Sequence, residues 1–157
     1  MSEFQQQFEI LLVEDNPGDV YLTQEAFREG RLAHRLSVVE DGEDALHFLR
    51  NEGKHERAPR PDLILLDLNL PKRDGRELLR DIKSDPRLKH IPVIVLTTSN
   101  AEQDIERAYE LHANCYLNKP IQMDDFLRTI RSIEDFWLSV VRLPTQLQGR
   151  QRGAGAY

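Results

Sequence analysis

Three carboxylates, one hydroxyl and one ammonium stand directly after apolar runs that lie far apart in the chain. Glu14 and Asp15 follow Phe8-Glu9-Ile10-Leu11-Leu12-Val13, and Asp67 ends Leu63-Ile64-Leu65-Leu66. Thr97 follows Val93-Ile94-Val95-Leu96, and Lys119 follows the weaker run Asn114-Cys115-Tyr116-Leu117, with Pro120 behind it. Brought together, the carboxylates would repel unless a cation lay among them or one stayed protonated. Mg2+ suits such a set, being a hard ion that accepts a few carboxylates together with waters and phosphate oxygens. Beside the ion, one carboxylate can act as a nucleophile toward a phosphoryl group. Lys119 and Thr97 would then supply a positive charge and a hydrogen-bond donor for the phosphoryl oxygens. Singly, each residue has a plainer reading. An acid at a strand end is commonly a helix N-cap, so Asp15 or Asn16 could cap the helix that follows, and Thr97 could be a turn residue.

Joint placement requires a particular framework. Short unbroken apolar runs suit strands buried on both faces, as in a parallel sheet. The runs above supply four, and Leu36-Ser37-Val38-Val39 supplies a fifth. Helical patterns fill the gaps. Residues 17–29 begin with Pro17 and stop at Gly30, 41–49 stop near Gly53, and 74–83 stop before Asp85-Pro86. Residues 101–111 carry Ile105, Ala108 and Leu111. Residues 123–141 carry Phe126, Ile130, Ile133, Trp137 and Val140 at spacings of three and four. Five strands alternating with five helices predict a doubly wound α/β domain with right-handed crossovers. Such sheets bind ligands outside the carboxyl ends of their strands, where the five residues above fall.

The 157 residues fit one domain, expected over 8–141, with a lead at 1–7 and a loose polar tail at 142–157. Residues 51–61 read as a charged, solvated connection. Hydrophobic residues make up 39% and charged residues 31%, which fits a globular chain and not a disordered one. A net charge of −6 argues against a nucleic-acid partner, which would need a basic stripe. No apolar run is long enough to span a membrane, and no basic-then-apolar leader opens the chain, so the cytoplasm is the expected location. The single cysteine, Cys115, excludes an intrachain disulfide and reads as a small buried residue. His34, His47, His55, His90 and His112 lack metal-ligand spacing.

Leu11-Leu12-Val13-Glu14-Asp15-Asn16, Leu65-Leu66-Asp67-Leu68-Asn69-Leu70-Pro71 with Asp74-Gly75, Pro92-Val93-Ile94-Val95-Leu96-Thr97 and Tyr116-Leu117-Asn118-Lys119-Pro120 together resemble the receiver domain of two-component response regulators. The resemblance covers about residues 8–135. It implies a flavodoxin-like sheet of strand order 2-1-3-4-5. It implies Asp67 as the phosphoacceptor and a Mg2+ site of Asp15, Asp67, Glu14 acting through water, and the main-chain carbonyl of Asn69. Thr97 and Lys119 are implied as phosphoryl contacts, and Lys119-Pro120 as a cis bond. Tyr116 is implied as the aromatic that changes rotamer when Thr97 moves; read as a residue alone, it is an ordinary half-buried strand tyrosine.

A narrower resemblance links the chain to small stand-alone regulators that partner bacterial phytochrome histidine kinases. It rests on the 51–61 insertion, on Tyr109 through Leu117, and on Ile133 through Leu138 with Leu143-Pro144. The implied partner is a sensor kinase carrying a phosphohistidine, with output by protein–protein contact to a downstream protein the sequence does not name. Phe136, Trp137, Val140 and Val141 are too many for one buried helix face, which points to a homodimer through the fourth helix, fifth strand and fifth helix, extended by 136–144. Two competing readings fare worse. A phosphatase of the haloacid-dehalogenase type carries Asp-x-Asp-x-Thr after its first strand. Here the candidate nucleophile follows the third, and Asn69 stands where the second acid would be. A flavodoxin-like cofactor binder needs a phosphate-cradling loop where Glu14-Asp15 stands. The chain therefore reads as a phosphoacceptor and not as an enzyme.

Overall fold

The structure is a computed structural model that describes residues 7–30, 33–72, 74–97, 115–118 and 123–136; of Thr97, Tyr116 and Phe136 it describes the backbone. Strands β1 (Phe8–Val13), β2 (His34–Val39), β3 (Leu63–Asp67), β4 (Val93–Thr97) and β5 (Cys115–Asn118) form one sheet of order β2-β1-β3-β4-β5. Every neighbouring pair is parallel. Helices α1 (Pro17–Arg28), α2 (Gly42–Arg50) and α3 (Gly75–Ser84) connect the first four strands, and a last helix spans Met123–Phe136. The expected doubly wound order is thus present. The helix expected over 101–111 lies outside the described residues, as do Trp137, Val140 and Val141.

The unbroken apolar runs follow from coverage of both faces. Successive strand side chains point to opposite sides, so a strand with two covered faces has no polar position. Leu11, Val13, Ile64, Leu66, Val93 and Val95 pack with Ala45, Leu46 and Leu49 of α2 and Leu78, Leu79 and Ile82 of α3. Their strand neighbours Ile10, Leu12, Leu63, Leu65, Ile94 and Leu96 pack on the other side with Ala26 and Phe27 of α1 and Leu127 of the last helix.

Each of the three connecting helices starts on a side-chain cap. Asn16 Oδ1 accepts from the Asp19 amide at 3.0 Å, with Pro17 at the first helical position. Asp41 Oδ1 accepts from the Asp44 amide at 2.8 Å, and Asp74 Oδ1 from the Arg76 amide at 2.7 Å. The expected starts at Asp41 and Asp74 therefore prove to be caps one residue outside their helices. Asn16, not Asp15, takes the cap of α1, which leaves Asp15 exposed beside the end of β1.

One expectation needs correction. Strand β2 begins at His34 instead of Leu36, because Arg35 stands opposite Glu9 on β1 and pairs with it, Nε to Oε1 at 3.1 Å. An edge strand tolerates such charges. Residues 51–61 are the mostly exposed connection expected, and an ordered one. Asn51 closes α2 in the left-handed conformation, φ 56°, and its Nδ2 donates to the carbonyls of His55 at 3.2 Å and Ala58 at 2.7 Å. The segment turns back through Gly53–His55 along α2. His55 Nε2 lies 2.8 Å from Asp44 Oδ1, and its ring sits 5.2 Å from that of Phe48. Ala58 packs against the core, and Arg60 donates to the carbonyl of Arg87.

Candidate functional site

Strand order reverses at β1, which has β2 on one side and β3 on the other. Glu14 and Asp15 follow β1 and Asp67 ends β3, so the acids meet where two neighbouring strands stop and their connections diverge. One carboxylate oxygen from each of Glu14, Asp15 and Asp67 lies within 4.8 Å of the others. Glu14 is fully buried, Asp67 is 4% exposed, and Asp15 faces solvent.

Backbone ties hold these groups in place. The Glu14 amide donates to the Val39 carbonyl at 3.0 Å, fastening the end of β1 to that of β2. The Glu14 carboxylate accepts from the Asn16 amide at 3.2 Å, and Asp67 Oδ1 accepts from the Asn69 amide at 3.0 Å. The Leu68 amide donates to the Leu96 carbonyl at 3.1 Å. Gly75 then returns α3 to the same place, its amide donating to the Leu68 carbonyl at 3.1 Å. A Cβ on Gly75 would lie 2.4 Å from the Asp67 carbonyl oxygen and 2.5 Å from the Leu68 Cα. No side chain fits there, so glycine is what lets α3 begin against the strand that presents Asp67.

Two unit charges 4 Å apart interact by about 1 kcal/mol in water and about 4 kcal/mol at an effective dielectric near 20. Three carboxylates of which two are buried are therefore a costly arrangement, and a cation relieves it. The donor set is all oxygen, with neither histidine nor cysteine, which fits a hard divalent ion such as Mg2+ or Mn2+. The residues present fit the metal that the sequence implies.

The structure brings Glu14, Asp15 and Asp67 together as expected. Asn69 sits two residues past Asp67, in contact with it through its amide. Thr97 ends β4 opposite Asn118, one residue past the Leu96 that pairs with Asp67, so its backbone reaches the same rim. Tyr116 pairs with Val95 on β5. Lys119, with its bond to Pro120, lies outside the described residues, one position beyond Asn118. Gly75 is the residue whose part the sequence reading missed. Its signal was present: a glycine in the first turn of a helix, just after a capping aspartate, where only a close approach accounts for it.

The chain matches the family described as response regulator receiver domain over residues 10–131. It is 52% identical over 135 residues to the response regulator Rcp1 of Synechocystis sp., covering 86% of this chain and 92% of that protein. The phosphorylated cyanobacterial phytochrome response regulator RcpA has a solved structure that matches with a TM-score of 0.78 at 51% identity, covering 85% of this chain and 96% of that one. The Mn2+-bound form of Rcp1 matches with a TM-score of 0.76 at 51% identity, covering 84% and 95%. That relative was solved with Mn2+ bound, and this chain carries an acid cluster at its strand ends.

Proposed function

The chain belongs to the response regulator receiver family, whose members accept phosphoryl groups in signalling, and we propose that Asp67 is the acceptor and Mg2+ the ion beside it. The observation that carries this reading is the meeting of Glu14, Asp15 and Asp67 within 4.8 Å at the reversal of strand order. Asp15, Asp67, the Asn69 carbonyl and Glu14, the last through water, would hold the ion. When bound, the ion supplies positive charge that offsets the carboxylates and the phosphoryl oxygens.

The remaining work falls to the chain. An Asp67 carboxylate oxygen attacks phosphorus as the P–N bond of a phosphohistidine breaks; the imidazole leaves with the electron pair and takes up a proton. The Asn69 amide on Oδ1 fixes the rotation of the attacking carboxylate. Thr97 and Lys119 contact the transferred oxygens, and Tyr116 responds to the movement of Thr97. Asn69 cannot act as a general acid or base toward the acyl phosphate, which disfavours rapid turnover and argues for a phosphoacceptor over a phosphatase.

The receiver unit is read as 8–141, with the lead 1–7 and tail 142–157 outside it. Its donor is read as a sensor histidine kinase of the phytochrome type, a reading supported by RcpA being described as a phytochrome response regulator. The unit is further read as a cytoplasmic homodimer through the last helix, with Phe136, Trp137, Val140 and Val141 in the contact, neither bound to nucleic acid nor anchored in a membrane. No helix among the described residues is long and apolar enough to cross one.

The test is incubation with acetyl phosphate and Mg2+ followed by intact-mass measurement. Wild type should gain one phosphoryl group, and Asp67→Asn none; equal labelling of Asp67→Asn would refute the acceptor assignment. Transfer from a phosphorylated phytochrome kinase should outpace transfer from an unrelated kinase. Sedimentation of wild type and of Trp137→Glu with Val141→Glu tests the dimer, which fails if wild type is a monomer in both phosphorylation states.

A further inference from the structure

The loop from Leu68 to Gly75 carries Asn69 and is closed at its base by the Gly75 amide on the Leu68 carbonyl. Its inner side is tied to the acceptor, Asn69 amide to Asp67 Oδ1 at 3.0 Å. Its outer side is held by a different contact. Lys72 has φ 64°, the left-handed region, and its Nζ lies 3.6 Å from Asp41 Oδ2. Glycine or asparagine would adopt that backbone at lower cost than lysine, so conformation alone does not account for the residue. Its partner is well fixed. Asp41 is only 17% exposed at its side chain, and its other oxygen caps α2 through the Asp44 amide at 2.8 Å. Two residues earlier, the Val39 carbonyl receives the Glu14 amide. The turn from β2 into α2 therefore braces the acid site twice, once behind Glu14 and once, through Lys72, behind the loop that follows Asp67. Both residues line an open groove of about 580 Å3, whose wall also includes Val38, Glu43 and Lys54.

We infer that Lys72 and Asp41 form a clasp that positions the loop after Asp67 and so sets the affinity of the acid site for its divalent ion. This rests on the proposed metal site. The two residues are positioning residues, acting through the Asn69 segment and not by touching the ion. An exposed ion pair is weak, and Lys72 is 64% exposed at its side chain, so the effect on binding is about threefold, within the roughly fivefold that such a pair can supply.

The sign of the effect separates the clasp from simple charge. Lysine is a cation near a cation site, so if charge alone mattered, Lys72→Asn would tighten binding and Asp41→Asn would weaken it, the double variant returning to wild type. A clasp predicts otherwise. Both single variants weaken binding about threefold, the double variant is no weaker than either, and Lys72→Arg restores wild-type affinity. Asparagine keeps the cap at position 41 and tolerates the left-handed backbone at position 72, so folding is preserved in each.

The measurement is calorimetric titration of the full chain with Mg2+ alone, with thermal melts in chelator alongside. Melting of Lys72→Asn at or above the wild-type temperature, with weaker Mg2+ binding, supports the clasp. Tighter or unchanged binding in Lys72→Asn overturns it, as does a fall in melting temperature that accounts for the lost affinity. Asp15→Asn is the control for the site itself. If that variant binds Mg2+ as tightly as wild type, the metal-site reading fails, a result distinct from any failure at Lys72.

Discussion

The two ends of the same sheet handle charge in opposite ways. At the amino ends of the strands, charged groups meet partners that neutralise or hydrogen-bond them. Glu9 pairs with Arg35, Asp62 Oδ2 accepts from the Glu9 amide at 2.9 Å, and Arg50 lies 3.8 Å from Asp85. Lys83 Nζ donates to the carbonyls of Lys89 at 3.0 Å and Ile91 at 2.9 Å. At the carboxyl ends, three acids converge within 4.8 Å. The same hydrophobic layers support both rims, so the core does not dictate the difference. One rim is arranged for stability, and the other gathers like charge that a divalent cation can offset. Removing a charge from the acid rim should therefore stabilise the protein, whereas removing the hydrogen-bonded Lys83 ammonium from the paired rim should destabilise it.

The largest effect is expected at the glycine that lets the acid rim assemble. Gly75→Ala puts a methyl group 2.4 Å from the Asp67 carbonyl oxygen, and neither backbone can yield cheaply. Overpacking of this kind costs about 2–3 kcal/mol, and the shift of Asp67 should also slow labelling by acetyl phosphate. Urea melts and intact-mass time courses check both. Full stability with full labelling would show that the close approach does not matter.

Asp67→Asn should have the opposite sign. Removing one charge from the crowded acids should stabilise the protein by about 1 kcal/mol in chelator. The advantage should shrink in saturating Mg2+, because an ion bound only by the native state stabilises wild type by mass action. Thermal melts with and without Mg2+ decide it. A lower melting temperature for Asp67→Asn in chelator would show that the acid rim is not electrostatically strained.

What could be read beforehand divides along a physical line. The apolar runs 10–13 of β1, 63–66 of β3 and 93–96 of β4 announce themselves because a strand stretch covered on both faces has no polar position to break the run. The acids at their ends are legible for the same reason, standing where hydrophobicity stops. Features that depend on one backbone angle or one distant partner leave little trace. Asn51 reads as any polar residue after a helix, yet its left-handed turn and two side-chain bonds fold 51–61 back on α2. His55 lacks metal spacing, and its real partners, Asp44 and Phe48, belong to the preceding helix, which the chain reaches only by reversing. Arg35 hides the start of β2 because its counter-charge, Glu9, sits 26 residues earlier. Charge in a sequence reads as solvation until its partner is located.

At the paired rim, Lys83→Met should destabilise by about 1 kcal/mol without altering phosphoryl labelling. The ammonium fastens the segment between α3 and β4 by two carbonyls, and hydrogen bonds from a charged donor are worth somewhat more than neutral ones. Burial lowers the pKa of Lys83, so desolvation of the charged form offsets part of that gain and keeps the expected loss modest. Urea melts paired with acetyl phosphate labelling check it. Loss of labelling at unchanged stability would mean that the two rims are coupled more tightly than their separate networks indicate.

The smallest effect belongs to Asp62 and is best seen through its pH dependence. Burial raises its pKa above the ordinary 3.8, against the lowering effect of the Glu9 amide, and the Glu9 carboxylate adds to the rise. A carboxyl group with a raised folded pKa binds its proton more tightly in the native state than in the unfolded chain. Its favourable contribution is full below 3.8 and is lost as pH rises through the folded value, so at neutral pH the ionised group carries a net cost. Asp62→Asn keeps an oxygen to accept from the Glu9 amide and removes the charge. The variant should therefore match wild type near pH 3, below the unfolded pKa, and exceed it at pH 7 by at most about 0.5 kcal/mol, because the half-exposed site is screened by solvent. Urea melts at both pH values supply the comparison. A variant less stable than wild type at pH 7, with the gap closing toward pH 3, would show that the Asp62 charge stabilises the amino-end rim, the reverse of what its burial implies.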